Sequence, residues 1–363
     1  MRGPIGLFFG TRPQVIKASI LRQSLSKVGQ VLSVDTGQHY DYQLHQVHYD
    51  QLGVEPPDDF LGVGSGSHAQ QTAAILTATA EWIRGHKPSL AVVIGDTNST
   101  LACALAATQL RVPVAHVEAG LRATDRLMAE DVNRRIVDAI ADVLFAPSEA
   151  SAATLRREHP RATTEFVGDV AYDVLIRALP RAPATDSLAA YTADCAQGFV
   201  YVTLHRAELV DDAVLLQRVL EALDSLDRPC IFPVHPRTRK QIESLDLTLG
   251  ARLHLTTPVG YLESVALTKA ASAVVTDSGG LQREAYWLGV PCVTVRGETE
   301  WHETITLGAN VLVNPRDVST LGPTINEAVR RRRAGASWDR KTYGAGDAAA
   351  RIATVLASFP MKP

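Results

Sequence analysis

Apolar residues in this chain fall into two spacings that alternate from end to end. Short runs rich in Val, Ile, Leu and Phe occupy residues 4–9, 31–36, 90–94, 112–117, 143–146 and 164–167. They return at 199–204, 230–234, 273–276, 291–295 and 309–313. Between them lie longer stretches in which apolar positions recur every three or four residues. The first spacing predicts buried strands and the second amphipathic helices. Continuous apolar runs, rather than alternating ones, suit strands covered on both faces, and regular strand–helix alternation predicts an α/β fold with parallel sheets. At 363 residues the chain exceeds the size at which a single core keeps growing, so two domains are expected, 1–175 and 176–363. The Ala-, Pro-, Asp- and Thr-rich segment 180–198 reads as their connection. An alanine-rich final helix over 345–358 could pack back on the first domain.

Polar clusters follow the strand runs at their carboxyl ends, where parallel α/β sheets place ligands. After 273–276 comes Asp277-Ser278-Gly279-Gly280, then a helical stretch that carries Glu284 and stops at Gly289. A strand, a glycine turn and a helix N-terminus leave backbone N–H groups pointing outward, with partial positive charge. That arrangement suits a phosphate, with Ser278 as cap and ligand, and it equally suits an ordinary strand–helix turn. Gly10-Thr11-Arg12-Pro13, with Lys17 one turn on, repeats the plan after the first strand. Asp96 and Glu118 end successive runs, and Glu130-Asp131 precede Asn133-Arg134-Arg135. Carboxylates gathered at strand ends are raw material for proton transfer. In the second half, His205-Arg206-Ala207-Glu208 and His235-Pro236-Arg237 stand at two more strand ends. For His235, acid–base work, a phosphate contact and packing at a domain interface all remain open. Residues 62–68, Gly-Val-Gly-Ser-Gly-Ser-His, are too glycine-rich for a regular element and read as a mobile loop.

Composition removes several classes of function. A formal charge of −3 gives no electrostatic reason to expect nucleic acid. No apolar run is long enough to cross a bilayer, and Met1-Arg2-Gly3-Pro4 leads directly into a strand, without the form of a signal peptide. Cys103, Cys195, Cys230 and Cys292 contain no CxxC pair, which predicts buried free thiols in a reducing cytoplasm. His39, His45, His48 and His68 lack metal-ligand spacing.

Together these residues resemble the non-hydrolysing UDP-N-acetylglucosamine 2-epimerase family. The matching stretches are Gly10-Thr11-Arg12-Pro13 with Lys17, Thr36-Gly37-Gln38-His39, Gly95-Asp96-Thr97, residues 116–122, residues 130–134, His205-Arg206 with Glu208, residues 276–284 and Thr299-Glu300. They span nearly the whole chain in the family's order. The resemblance implies a GT-B-type fold, two Rossmann-like parallel-sheet domains facing a central cleft. It implies that UDP leaves a UDP-linked 2-acetamido sugar by anti-elimination, giving a glycal, and adds back with a proton on the opposite face of C2. It implies a cytoplasmic homodimer, a UDP-sugar substrate, no cofactor and no metal. Asp96, Glu118 and Glu130 match the family's acidic residues and His205 a position near the diphosphate; these four are the candidate catalytic residues. Arg12, Lys17, Ser278 and Gly279 match positions near the nucleotide diphosphate and Glu284 the residue that contacts ribose; Arg134, His235, Gly280 and Arg296 join them as candidates for binding the UDP-sugar. Two departures stand out. Trp301 follows Thr299-Glu300 where many members carry arginine, which resembles the branch acting on UDP-2,3-diacetamido-glucuronic acid. Met128-Ala129-Glu130-Asp131 replaces the usual Pro-Glu-Glu. A hydrolysing relative and a GT-B glycosyltransferase share the same fold and donor.

Overall fold

The apolar runs become strands because a parallel sheet buries both of their faces. In the computed structural model of the protein, residues 3–38, 54–184, 188–192, 195, 198–245, 247 and 249–360 are described. Met1–Ile176 with Lys341–Pro363 forms one compact unit, and Arg177–Arg340 forms a second.

In the first unit the order is β1 (Ile5–Phe9), α1 (Arg12–Leu25), β2 (Val31–Asp35), β3 (Asp59–Phe60), α2 (His68–His86), β4 (Leu90–Ile94), α3 (Asn98–Gln109), β5 (Val114–Val117), α4 (Ala129–Ile140), β6 (Val143–Ala146), α5 (Glu149–Glu158), β7 (Thr163–Phe166) and α6 (Val170–Ala178). The strands pair in parallel in the order β3-β2-β1-β4-β5-β6-β7. Every residue of β1, β4, β5 and β6 is buried. The direction of winding reverses between β1 and β4, the switch point at which such sheets open a crevice.

The second unit runs α7 (Ala189–Thr192), β8 (Val200–Thr203), α8 (Ala207–Val210), α9 (Ala213–Asp224), β9 (Cys230–Pro233), α10 (Pro236–Ser244), β10 (Leu253–Thr256), α11 (Tyr261–Ala270), β11 (Ala273–Thr276), α12 (Gly279–Leu288), β12 (Cys292–Val295), α13 (His302–Thr306), β13 (Asn310–Val313) and α14 (Leu321–Arg333). Its parallel sheet has the order β10-β9-β8-β11-β12-β13, with its switch point between β8 and β11.

The last helix, α15 (Ala348–Ser358), returns to the first unit and packs along α1. Asp173 on α6 caps it, its two carboxylate oxygens accepting from the Ala348 N–H (3.1 Å) and the Ala349 N–H (3.0 Å). Gly168 and Gly344 are both needed where the returning chain crosses: a Cβ on Gly344 would lie 2.8 Å from Gly168 Cα.

Three details differ from the sequence expectation. β3 and β10 lack a continuous apolar run, because β3 has only two residues and β10 is an edge strand with Leu253 alone fully buried. Part of segment 180–198 is core rather than connection, since Leu188 and Cys195 pack with Phe199, Tyr201 and Leu281 inside the second unit. The 62–68 stretch has no regular element before α2, yet it is tethered: the Val63 and Gly64 N–H groups donate to the Thr36 and Gly37 carbonyls at 3.1 and 3.0 Å. His39, His45 and His48 lie outside the described residues. All four cysteines are buried and free. Among the described residues no helix is long and apolar enough to cross a membrane.

Candidate active site

In the first unit the sheet's switch point is built on close backbone packing. A Cβ on Gly10 would overlap Thr36 Oγ1 and Ser99 Oγ, which hydrogen-bond to each other at 2.7 Å. Glycine is therefore dictated by space, and α1 begins directly over β1. Gln14, buried in the first turn of α1, ties the two sides of the switch point together. Its Oε1 accepts from the Gly10 and Thr11 N–H groups (2.9 and 3.2 Å), and its Nε2 donates to the Ile94 carbonyl (2.6 Å). Arg12 is half-buried at the start of α1, and burial lowers its pKa.

The acids stand at the ends of neighbouring strands. Ile94 and Val117 are register partners, so Gly95-Asp96 and Glu118 leave the sheet side by side. Glu118 pairs with Lys17, both side chains about one-tenth exposed, and Asp96 pairs with the buried Arg134. A Cβ on Gly95 would lie 3.9 Å from Glu118 Oε2, so the Glu118 carboxylate reaches across the turn that carries Asp96. Glu118 has φ = +71°, a left-handed conformation that costs a residue with a Cβ roughly 1–2 kcal/mol. Its N–H and that of Ala119 both donate to the Phe145 carbonyl, at 3.1 and 3.0 Å. Asn133 Nδ2 donates to the Asp96 carbonyl at 3.0 Å.

Glu130 does not join these pairs. Its side chain is exposed in the first turn of α4 and has no hydrogen bond or ion pair among the described residues. It shares a helix face with Arg134, four residues on. Its neighbour Asp131 is fully buried, accepting from the Ala123 N–H at 2.9 Å and pairing with Arg135 at 2.5 Å.

The switch point of the second unit carries different chemistry. Ser278 caps α12, its Oγ accepting from the Leu281 N–H at 3.5 Å, and Gly279 and Gly280 form the first turn. Gly279 is tight, since a Cβ there would sit 3.1 Å from Glu300 Oε1. Gly280 is open, with only Ser278 Oγ at 3.6 Å. Across the switch point His205 follows β8, half-exposed, its Nδ1 3.2 Å from Asp277 Oδ1. The other Asp277 oxygen accepts from the His205 and Arg206 N–H groups, both at 2.8 Å. Sequence reasoning gave Asp277 and Gln14 no part; each works through bonds to residues distant in sequence.

One turn into α12, burial pushes the Glu284 carboxyl up to about 7, while Arg283 and a hydrogen bond with Tyr261 pull the other way. Arg296, buried at the end of β12, pairs with Glu300 at 3.2 Å. Trp301 is 2% exposed and lies over Arg283, whose Cζ is 3.9 Å from the ring centroid. His235 is the N-cap of α10, its Nδ1 accepting from the Arg237 N–H at 3.3 Å. Among the described residues no group of three or more His, Cys, Asp and Glu side chains could hold a metal ion.

These strand-end groups can be set beside known proteins. Residues 25–357 match the family model described as UDP-N-acetylglucosamine 2-epimerase. A UDP-2,3-diacetamido-2,3-dideoxy-D-glucuronate 2-epimerase of Pseudomonas aeruginosa is 42% identical over 96% of this chain and 98% of its own length. A UDP-N-acetylglucosamine 2-epimerase homolog of Methanococcus maripaludis is 38% identical, with 96% and 97% covered. The crystal structure of Methanocaldococcus jannaschii UDP-GlcNAc 2-epimerase in complex with UDP-GlcNAc and UDP superposes with a TM-score of 0.87 at 34% identity, covering 98% of this chain and all of that one. The fold, with two Rossmann-like parallel-sheet units, is of the GT-B type that the resemblance implied. The chain belongs to the UDP-N-acetylglucosamine 2-epimerase family, whose named members are UDP-sugar 2-epimerases and therefore isomerases.

Proposed function

We propose that this member of the family interconverts UDP-N-acetylglucosamine and its C2 epimer, UDP-N-acetylmannosamine, by elimination and re-addition of UDP. The observation that carries the reading is the juxtaposition of two carboxylate–cation pairs, Glu118 with Lys17 and Asp96 with Arg134, at adjacent strand ends. The C2 proton of such a sugar is not acidic enough for simple removal. Loss of UDP solves this: a carboxylate takes the C2 proton, the C2–H electron pair becomes the C1=C2 double bond, and the C1–O pair leaves with the phosphate oxygen of UDP. In the return step a proton arrives on the other face of C2 and the UDP oxygen closes on C1.

In this reading the first unit does the proton work. Asp96, Glu118 and Glu130 are the acids and bases, with Arg134 fixing Asp96 and Lys17 fixing Glu118. Arg12, half-buried at the head of α1, binds phosphate. The second unit holds UDP. Ser278, Gly279 and Gly280 offer a helix N-terminus to the diphosphate, which stabilises the leaving group as charge develops on it. His205 acts beside them, Glu284 takes the ribose hydroxyls, and Arg296 and His235 complete the substrate-binding set. The enzyme works without a metal or a nicotinamide, in a cytoplasm, as a homodimer; Leu127, Val132 and Ile136 offer an exposed apolar surface for pairing. Light scattering measures the assembly state.

A second reading, epimerisation of UDP-2,3-diacetamido-2,3-dideoxy-glucuronic acid, is favoured by the identity to the Pseudomonas protein. Incubating both UDP-sugars with the enzyme in D2O, followed by proton NMR, tests the two together. Deuterium at C2 with UDP retained in the product is expected. Free UDP accumulating in step with turnover overturns epimerisation in favour of hydrolysis, and no exchange with either sugar overturns both readings.

A further inference from the structure

Beneath the two acid-bearing strand ends lies a set of charges that none of these roles uses. His116, the third residue of β5, is fully buried, and so is Asp138 on α4. His116 Nδ1 is 2.8 Å from Asp138 Oδ1, and His116 Nε2 is 2.7 Å from the Gly95 carbonyl oxygen. The second oxygen of Asp138 accepts from the Gly120 N–H at 3.2 Å and from Arg122 Nη1 at 2.7 Å. Arg122 reaches outward to Glu158, its Nη2 at 2.7 Å. Burial pushes the Asp138 carboxyl up, but His116 and Arg122 outweigh it and hold the group below its ordinary value, ionised. A carbonyl and a carboxylate both only accept, so both ring nitrogens of His116 donate.

The placement of these bonds is what matters. Asp138 grips the chain on both sides of Glu118: through the His116 side chain two residues before it, and through the Gly120 N–H two residues after. Between those grips Glu118 sits in its left-handed conformation. The other ring nitrogen of His116 holds the carbonyl of Gly95, the residue before Asp96, itself at φ = +69°. A single imidazole thus joins the backbone beneath one acid to the backbone beneath the other. Stability alone does not ask for this, because apolar residues of similar volume usually fill such a space as well as buried ion pairs do.

We propose that His116, seated by Asp138 and Arg122, is a positioning residue that fixes Glu118 relative to Asp96; this rests on the epimerase reading above. Neither His116 nor Asp138 touches substrate in this account, so their replacement acts through where the carboxylates point. Misplacing a reacting group by about 1 Å costs on the order of 100-fold in rate.

The test uses the full-length enzyme and the Asp138→Asn and His116→Gln variants. For each, kcat and KM are measured with the UDP-sugar the wild type epimerises, together with Tm and the affinity for UDP by calorimetry. Expected is a kcat lowered about 100-fold, with KM and UDP affinity within threefold of wild type and more glycal escaping per turnover. Folded variants with wild-type kcat overturn the proposal, whatever their Tm, since a merely structural role moves only Tm. Should neither variant fold, 15N spectra of the wild-type histidine rings decide. Two protonated nitrogens on His116 at neutral pH support the array, and a ring with one hydrogen overturns it, because one tether then lacks its donor. A wild-type enzyme that epimerises neither sugar refutes the functional reading instead, and does so before any variant is made.

Discussion

The same sheet architecture occurs twice in this chain, and the switch points of its two units carry opposite chemistry. In the first unit the strand ends carry carboxylates held by cations, Glu118 by Lys17 and Asp96 by Arg134. In the second the strand ends carry a capped helix N-terminus, a histidine braced by a buried aspartate, and Glu284, whose carboxyl burial leaves near-neutral in its titration. Fixed full charges suit moving a proton at a defined atom. Backbone donors and a helix end suit gripping a diphosphate that must depart and return. In the proposed function it is the residues at the strand ends, and not the fold, that would separate these tasks.

The division can be attacked first at Glu118. Replacing it by Gln should lower kcat about 10³-fold, within the range for losing a general base, while UDP affinity changes less than threefold. A large loss of UDP binding would break the division. The two kinds of glycine give the next contrast. Gly10→Ala forces a methyl group against Thr36 and Ser99, so it should cost about 1–3 kcal/mol of stability, as overpacking does, read as a lower Tm. Gly280→Ala meets open space and should leave Tm unchanged or slightly higher. If UDP lies against that turn, the methyl group should weaken UDP binding about tenfold; unchanged affinity would remove the second unit's assigned role at that glycine.

The smallest effect concerns Glu284, whose folded-state pKa of about 7 lies above its ordinary 4.5. A raised pKa means the folded state favours the protonated form. The associated stability is fully present below about 4.5 and is lost as pH rises through about 7. In the proposed role of Glu284, ribose hydroxyls donating to the carboxylate favour the ionised form. UDP affinity should therefore rise a few-fold between pH 6 and pH 8, and Glu284→Gln should flatten that rise in calorimetry.

Much of this was legible in the sequence, for a physical reason. Strands buried on both faces leave unbroken apolar runs, so β4, β6 and β11 fall on the runs expected of them, whereas edge strands such as β10 leave no such trace. Strand-end residues were legible as candidates because the fold concentrates ligands there. Their partners were not. Lys17 and Glu118 are 101 positions apart, and nothing local in either stretch announces that they meet. His116 opens the matching stretch 116–122, but nothing in that stretch shows its partner, a helix residue 22 positions later. Trp301 was read as a mark of substrate class, but its burial over Arg283 gives it a packing duty that sequence cannot display.

Because α15 belongs to the first unit while Arg177–Arg340 stands between, the chain cannot finish its units in the order in which it is made. On the ribosome the second unit emerges as one uninterrupted stretch and is complete first. The surface of α1 that α15 covers stays wet until residues 348–358 are released. An interrupted or prematurely ended translation product therefore carries an exposed seam on its amino-terminal half, the kind of surface that quality-control machinery recognises.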